Sequence, residues 1–244
     1  MHFPDPLMEA RLIRRYKRFL ADIEWPDGSM DTVHCPNPGA MLGLDAPGSR
    51  VFVSRSANRK RKYPLTLELV EADGTLVGIN TGLPNRLAEE AIANGVIAEL
   101  AGYDTMRREV RYGGNSRIDI LLESETRPVC YVEVKNVHLR RRPGLVEFPD
   151  CVTARGAKHL KELGDQAGAG HRALMLFIIQ RADGDRFDLA RDIDPAYAAA
   201  FNHARSRGVE VLAYACSVSA SEILVTMPVP IDKRALQPGP ASIK

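Results

Sequence analysis

Apolar and polar positions alternate along the first third of the chain and then give way to longer periods. "RFLADIEW" sets Phe19, Ala21, Ile23 and Trp25 against Leu20, Asp22 and Glu24, and "PDG" turns the chain. A period of two marks a strand with one buried face, which places Phe19 in the core. "SMDTVHC", "RVFVSRS", "LTLELVEADG" and "LVGINT" continue the pattern, with the loop "PNPGAMLGLDAPG" among them. Five short strands with little helix predict a small β-barrel over residues 1–82, and an OB-like barrel is the usual five-stranded solution. An SH3-like barrel fits the same alternation.

After "GLPN" the pattern changes. "NRLAEEAIANGVIAELAGY" carries Leu87, Ala91, Ile97 and Leu100 near helical spacing, with Gly95 placed to bend or split the helix. "MRREVRYG", "SRIDILLES" and "VCYVEVKNV" read as strands. A helix follows at "TARGAKHLKELGDQAG", with Asp150 or Thr153 as its cap. "RALMLFIIQ" is a buried strand, "PAYAAAFNHARSRG" a helix and "VEVLAYACSV" a further strand. This order predicts an α/β domain on a mixed sheet over residues 83–230. Residues 231–244 carry no pattern and are expected to be a disordered tail.

One stretch breaks the apolar rule. In "YVEVKNV", Val132 and Val134 share one face of a strand, while Tyr131, Glu133 and Lys135 share the other. An E-x-K triplet arises by chance roughly once per 250 residues, so its company decides its meaning. In the preceding strand Asp119 lies between Ile118 and Ile120 and faces away from both. A hairpin through "ESETRP" would bring Asp119 and Glu133 together, with Lys135 beside them. Two carboxylates suit a hard divalent cation that completes its shell with water and phosphate. An ion pair on an exposed strand face fits the triplet equally well.

Composition sets the class. Of 244 residues, 45% are hydrophobic and 26% charged, as in soluble globular proteins. No apolar run is long enough to span a bilayer, and the start lacks the pattern of a secretory signal. Cys35, Cys130, Cys151 and Cys216 form no C-x-x-C pair, which points to reduced thiols and a cytoplasmic location. The net charge is only +2, but its distribution is uneven. Arg11, Arg14, Arg15, Lys17 and Arg18 form one basic cluster, and Arg55, Arg59, Lys60, Arg61 and Lys62 a second. Arg140, Arg141 and Arg142 form a third. Each alone is an ordinary solvated surface; together they favour a polyanion, bound mainly through phosphates.

Ordered segments also carry a resemblance. "RID" followed by "EVK" on the next strand resembles the PD-(D/E)xK nuclease core. "RYKRFLADI", "HCPNPGAM", "KRKYPLTLELV", "INTGLPNRLAEEAI", "EVRYGGNSRIDILL", "YVEVKNVHL" and "FPDCVTARGAKHLKEL" are similar to the sugar fermentation stimulation protein A family of bacteria. The resemblance implies an OB-type barrel followed by a nuclease-like domain, DNA binding, and a role in regulating maltose metabolism. It also implies Asp119 and Glu133 as metal ligands, with Mg²⁺ as the cation and Mn²⁺ as a substitute. Asp119, Glu133 and Lys135 fill the catalytic positions, and a helix acid joins them: Glu90 by the family text, with Glu89 and Glu99 as alternatives. An active Mg²⁺-dependent nuclease acting on DNA or RNA is the alternative to a protein that binds without cutting.

Other residues have two readings. Arg117 faces the side of Asp119 and would hold a phosphate or the carboxylate. Arg155, Lys158 and His159 lie on the helix entering the site region, and Arg155 is placed to grip phosphate. Glu109 pairs with a neighbouring arginine or joins the acids, and Gln180 is a strand-end polar residue or reaches the site. His34 and Cys35 mark a turn rather than a metal site. Tyr16 and Tyr63 lie among the basic residues, where they would stack on bases or pack inward.

Overall fold

The computed structural model describes residues 1–58, 60–114 and 116–232. Its first part is a barrel of β1 (Met8–Tyr16), β2 (Leu20–Glu24), β3 (Met30–His34), β4 (Arg50–Arg55) and β5 (Leu65–Ala72), with β6 (Thr75–Gly78) added beyond β5. β1, β2 and β3 form an antiparallel meander, β4 pairs with both β1 and β5, and a parallel His34↔Thr66 pairing closes the ring. Leu12, Ile23, Val33, Val51, Val53 and Leu67 fill the interior, and Met41 and Leu44 plug it from the loop after β3. This is the OB-like barrel, with a different strand membership from the five segments read in the sequence. β6 lies outside the ring, and β1 replaces it. The arginines of "MEARLIRRY" hide its inward residues Ala10 and Leu12 among outward charges.

Phe19 is not in the core; it is 49% exposed. Tyr16 pairs with Leu20, so Lys17, Arg18 and Phe19 form the connecting turn, with Lys17 and Arg18 at left-handed φ of 51° and 64°. Leu20 takes the buried place instead.

The second part begins with α1 (Pro84–Ala93), which ends before Gly95 at a left-handed φ of 71°, and a single 3-10 turn at Ala98–Leu100 follows. Then come β7 (Thr105–Tyr112), β8 (Ser116–Glu123), β9 (Cys130–Val137), β10 (Leu139–Arg142), β11 (Gly144–Phe148), α2 (Ala154–Gly168), β12 (Arg172–Ile179), β13 (Gly184–Leu189), α3 (Pro195–Ser206), β14 (Glu210–Val218) and β15 (Ile223–Pro228). Six strands form a mixed sheet in the order β15-β14-β12-β9-β8-β7, with β9, β12 and β14 parallel. β12 sits in its middle and is apolar on both faces. Leu174, Leu176 and Ile178 pack on the side of α1, while Met175, Phe177 and Ile179 pack toward α2 and α3. This layering is that of an α/β domain on a mixed sheet.

β10, β11, β13 and β15 are additional to the strands that the sequence pattern predicts. Three of them form a separate small sheet, β10-β11-β13. The cluster Arg140–Arg142, expected as a free basic surface, is β10 and is neutralised there. Arg140 pairs with Asp73 at 2.8 Å and Asp183 at 3.3 Å; Arg141 pairs with Glu147 at 2.8 Å and Asp192 at 2.5 Å. Ile231 and Asp232, assigned to the tail, dock on Phe187 of β13; residues 233–244 lie outside the described residues.

The barrel and the α/β part are joined by a polar chain. The Gly78 amide donates to the Gln180 carbonyl at 2.8 Å, and Gln180 Nε2 donates to Asn136 Oδ1 at 2.7 Å. Asn136 Nδ2 lies 3.0 Å from His138 Nδ1, and His138 Nε2 lies 3.3 Å from Asp150 Oδ2, which accepts the Met41 amide at 2.9 Å. Gln180 and Asp150 therefore belong to this junction, and Thr153 is the cap of α2, accepting the Gly156 amide at 3.1 Å.

Candidate metal and nucleic-acid site

β8 and β9 pair at Ile120↔Val132, Leu121↔Tyr131 and Leu122↔Cys130. Continued by one step, this antiparallel register brings Asp119 opposite Glu133. The regular pairing stops there. Asp119 Oδ2 accepts the Val134 amide at 2.8 Å, and Oδ1 accepts Asn85 Nδ2 at 2.9 Å from the first turn of α1. Across β7, Glu109 stands at the matching position with a left-handed φ of 50°. The hairpin thus departs from a regular ladder where the carboxylates meet.

Glu133 is 1% exposed. Its Oε1 accepts Lys135 Nζ at 2.6 Å and also bonds His159 Nδ1 from α2. Arg155 Nε donates to His159 Nε2 at 3.3 Å. With Nε2 accepting, the proton sits on Nδ1, which therefore donates to Glu133. Burial opposes the charge on Glu133, but the hydrogen bond from His159 and the charge of Lys135 outweigh it and hold the carboxyl below its ordinary range. Asp119 moves the other way. Burial and then the Glu133 charge raise it, against the Val134 amide, Lys135 and Asn85. The two adjacent carboxyls thus shift in opposite directions, each for its own surroundings.

Glu133 Oε2 is buried and has no hydrogen-bond partner among the described residues. Tyr112 and Glu162 also keep buried oxygens nearby that are unpartnered among the described residues, and burial followed by the charges of Glu133, Glu162 and Asp119 pushes the Tyr112 phenol up. A buried acceptor left unmade is costly, and a cation would satisfy it. Among the described residues no three His, Cys, Asp or Glu side chains converge on one point as a complete ligand set. A cation at Asp119 and Glu133 would draw the rest of its shell from water or phosphate oxygens, as Mg²⁺ ordinarily does. The donors present fit a hard divalent cation.

The helix acids lie elsewhere. Glu90 binds the Met1 ammonium at 2.8 Å, Glu89 pairs with Arg108 at 2.7 Å, and Glu99 accepts the Tyr214 hydroxyl at 2.6 Å. Glu90 is thus not brought to the cluster, because it sits on the flank of α1 that faces the chain start. The residue that α1 presents to Asp119 is Asn85. The sequence offered little signal for it, nor for Tyr112 and Glu162, whose side chains converge only in three dimensions.

The basic residues divide. Arg15 donates to the carbonyls of Asn37 and Gly39 at 2.7 Å each and of Arg18 and Ala40 at 3.3 Å each, so it holds the "HCPNPGAM" loop. Arg14 is paired with Asp22 at 2.8 Å and stacks on Tyr16, whose hydroxyl donates to the same carboxylate. Neither is a free cation, and Arg61 lies against His34 and Thr66. Cys35 is buried against Met41. Lys17, Arg18, Lys60, Lys62, Arg117 and Arg155 are exposed. Lys62 lies over the Tyr63 ring. Arg59 lies outside the described residues.

Comparison with known proteins places this architecture. The family model described as the sugar fermentation stimulation protein RE domain matches residues 82–222, and that of the SfsA N-terminal OB domain matches residues 13–79. The chain belongs to the sugar fermentation stimulation protein family. Within that family, the homolog from Rhodospirillum centenum is 61% identical over 223 residues, covering 91% of this chain and 96% of that protein. The Brucella ovis homolog is 60% identical over 232 residues, covering 95% and 98%. The solved structure of Pyrococcus furiosus SfsA in complex with Ca²⁺ is 27% identical, with a TM-score of 0.86 over 95% of this chain and 98% of that one. No helix among the described residues is long and apolar enough to cross a membrane.

Proposed function

We propose that this protein binds DNA in the cytoplasm and carries a Mg²⁺-dependent phosphodiesterase centre at Asp119, Glu133 and Lys135. The buried, unpartnered Glu133 Oε2 beside Asp119 carries this reading. Asp119 and Glu133 would hold the cation, with Mn²⁺ as a substitute. That a family member was solved with Ca²⁺, another hard oxygen-seeking cation, supports a divalent ion here. When bound, the ion lowers the pKa of water and neutralises charge building on phosphate. Lys135 lies within reach to orient the attacking water and to offset developing negative charge. His159 positions Glu133 by binding Oε1, which leaves Oε2 for the cation. Lys17, Arg18, Lys60, Lys62, Arg117 and Arg155 are the exposed cations that would hold the backbone, so binding should weaken steeply with salt.

A second reading is favoured by the helix acids. Because Glu89, Glu90 and Glu99 are all engaged elsewhere, the centre lacks the carboxylate that the preceding helix was expected to supply. A protein with this arrangement would grip DNA without cutting, as a regulator of maltose metabolism would. One gel experiment separates the two. Labelled single- and double-stranded DNA is mixed with protein and Mg²⁺, Mn²⁺ or chelator, beside Asp119→Asn. Metal-dependent cleavage that the variant loses while still shifting DNA is the expected result. Shifted but uncut DNA under every condition would establish the second reading, and neither shift nor cleavage would overturn both.

A further inference from the structure

The β7–β8 hairpin carries Arg107, Arg108, Arg111 and Arg117, and it treats them in two ways. At the far end Arg107 donates twice to Glu123, at 2.8 Å each, and Arg108 pairs with Glu89 at 2.7 Å. At the turn end Arg111 and Arg117 lie directly opposite each other in register, both exposed. Neither makes an ion pair among the described residues. Glu109, the nearest acid along β7, is also exposed and pairs with neither. Like charges directly opposite on a hairpin destabilise it. The same hairpin places the Glu123 carboxylate against Arg107 and, among the described residues, pairs none with Arg111 or Arg117.

The pair borders a cavity of about 530 Å³, lined by Arg111, Tyr112, Gly113, Gly114, Ser116 and Arg117. Tyr112 is the wall shared with the carboxylate cluster, since Glu133, Glu162 and Asp119 all act on its phenol. Gly113, at a left-handed φ of 57°, sits beside Glu162: a Cβ there would lie 3.4 Å from its Oε1. A phosphate approaching three carboxylates meets repulsion unless cations stand at the entrance. Guanidinium groups grip phosphate through paired hydrogen bonds.

We propose that Arg111 and Arg117 form a clamp for a backbone phosphate, next along the strand from the phosphate presented to Asp119 and Glu133. The assignment rests on the nucleic-acid reading above and names the second point at which the strand is held. The cross-strand repulsion is then relieved only in the complex. Removing either arginine should weaken binding while leaving the fold as stable as before or more so, a combination that a structural role for these arginines would not produce.

The test uses the full chain in chelator, so that cleavage plays no part. Affinity for labelled single- and double-stranded oligonucleotides is measured by anisotropy from low to high salt, for the parent, Arg111→Gln, Arg117→Gln, the double variant and Arg107→Gln. Binding of inorganic pyrophosphate is followed in parallel. Each turn arginine should reduce the salt slope by about one and the double variant by about two. Arg107→Gln should leave the slope unchanged, and the melting temperature of the double variant should equal or exceed the parent's. A parent that binds DNA and a double variant with an unchanged slope would overturn the clamp and spare the nucleic-acid reading. A parent that binds no DNA would overturn both. Pyrophosphate binding lost in the double variant, without any DNA binding by the parent, would make this a site for free phosphates and would also overturn the assignment to a strand.

Discussion

Asp119 Oδ2 accepts the Val134 amide at 2.8 Å, one step past the last Ile120↔Val132 pairing between β8 and β9. A side-chain carboxylate thus takes over where the strand pairing stops. The same carboxylate is tied to α1 through Asn85, so one residue joins two strands and a helix at the centre of the site.

Asp119→Asn should therefore separate chemistry from folding. The amide oxygen still accepts from Val134, and Asn85 can turn its side-chain amide to accept from the new Nδ2, while the charge that holds a cation is gone. Calorimetric Mn²⁺ binding should be lost with little change in denaturation midpoint. Asp119→Ala leaves the Val134 amide and the Asn85 side chain without their partner and should cost about 1–3 kcal/mol. Equal stability of the two variants would show that the hydrogen bonds are not structural.

His159→Ala removes a donor from a carboxylate that is 1% exposed. Glu133 then keeps only Lys135, and breaking one side of a buried charged network should cost about 2–3 kcal/mol in urea denaturation. His159→Asn, which retains a donor, should recover part of the loss. Metal affinity should fall with it, because Glu133 is no longer oriented.

Asp150 makes the junction acid-sensitive. Burial alone would raise its carboxyl, but the His138 hydrogen bond and charge and the Met41 amide hold it at about 2, below the ordinary 3.8. The folded protein binds this proton less tightly than the unfolded chain does. The contribution, about 2 kcal/mol, is complete above the ordinary value and is lost as pH falls from about 4 toward 2. The stability difference between the parent and Asp150→Asn should shrink across that window, measured as denaturant midpoint against pH. A constant difference would place the effect elsewhere.

Arg15 and the lysines of the second basic cluster should behave oppositely. Arg15→Gln deprives the carbonyls of Asn37, Gly39 and Ala40 of a donor and should lower the melting temperature without altering the salt slope of DNA binding. Lys60→Gln with Lys62→Gln should leave melting unchanged and reduce the slope by about two.

What the sequence determined by itself is what depends on near neighbours along the chain. Alternation marks β2, β3, β4 and β5, and the unbroken apolar run of β12 is buried on both faces because α1 covers one and α2 and α3 the other. The acid–base triplet is legible for the same reason, since Glu133 and Lys135 lie two apart on one strand and Asp119 one hairpin away. Only the tertiary structure decided which charges were free to act. Arg15 reads like Lys17 in the sequence, yet its guanidinium closes on carbonyls more than twenty residues distant. Glu90 reads as the helix acid and Asn85 carries little signal, yet the Met1 ammonium claims Glu90 and α1 presents Asn85 to Asp119. Phe19 alternates correctly, but the positive φ of Lys17 and Arg18 turns it outward. Periodicity is a local property of the backbone, whereas the partner of a charge is set by whichever distant segment the packed core brings within 3 Å of it.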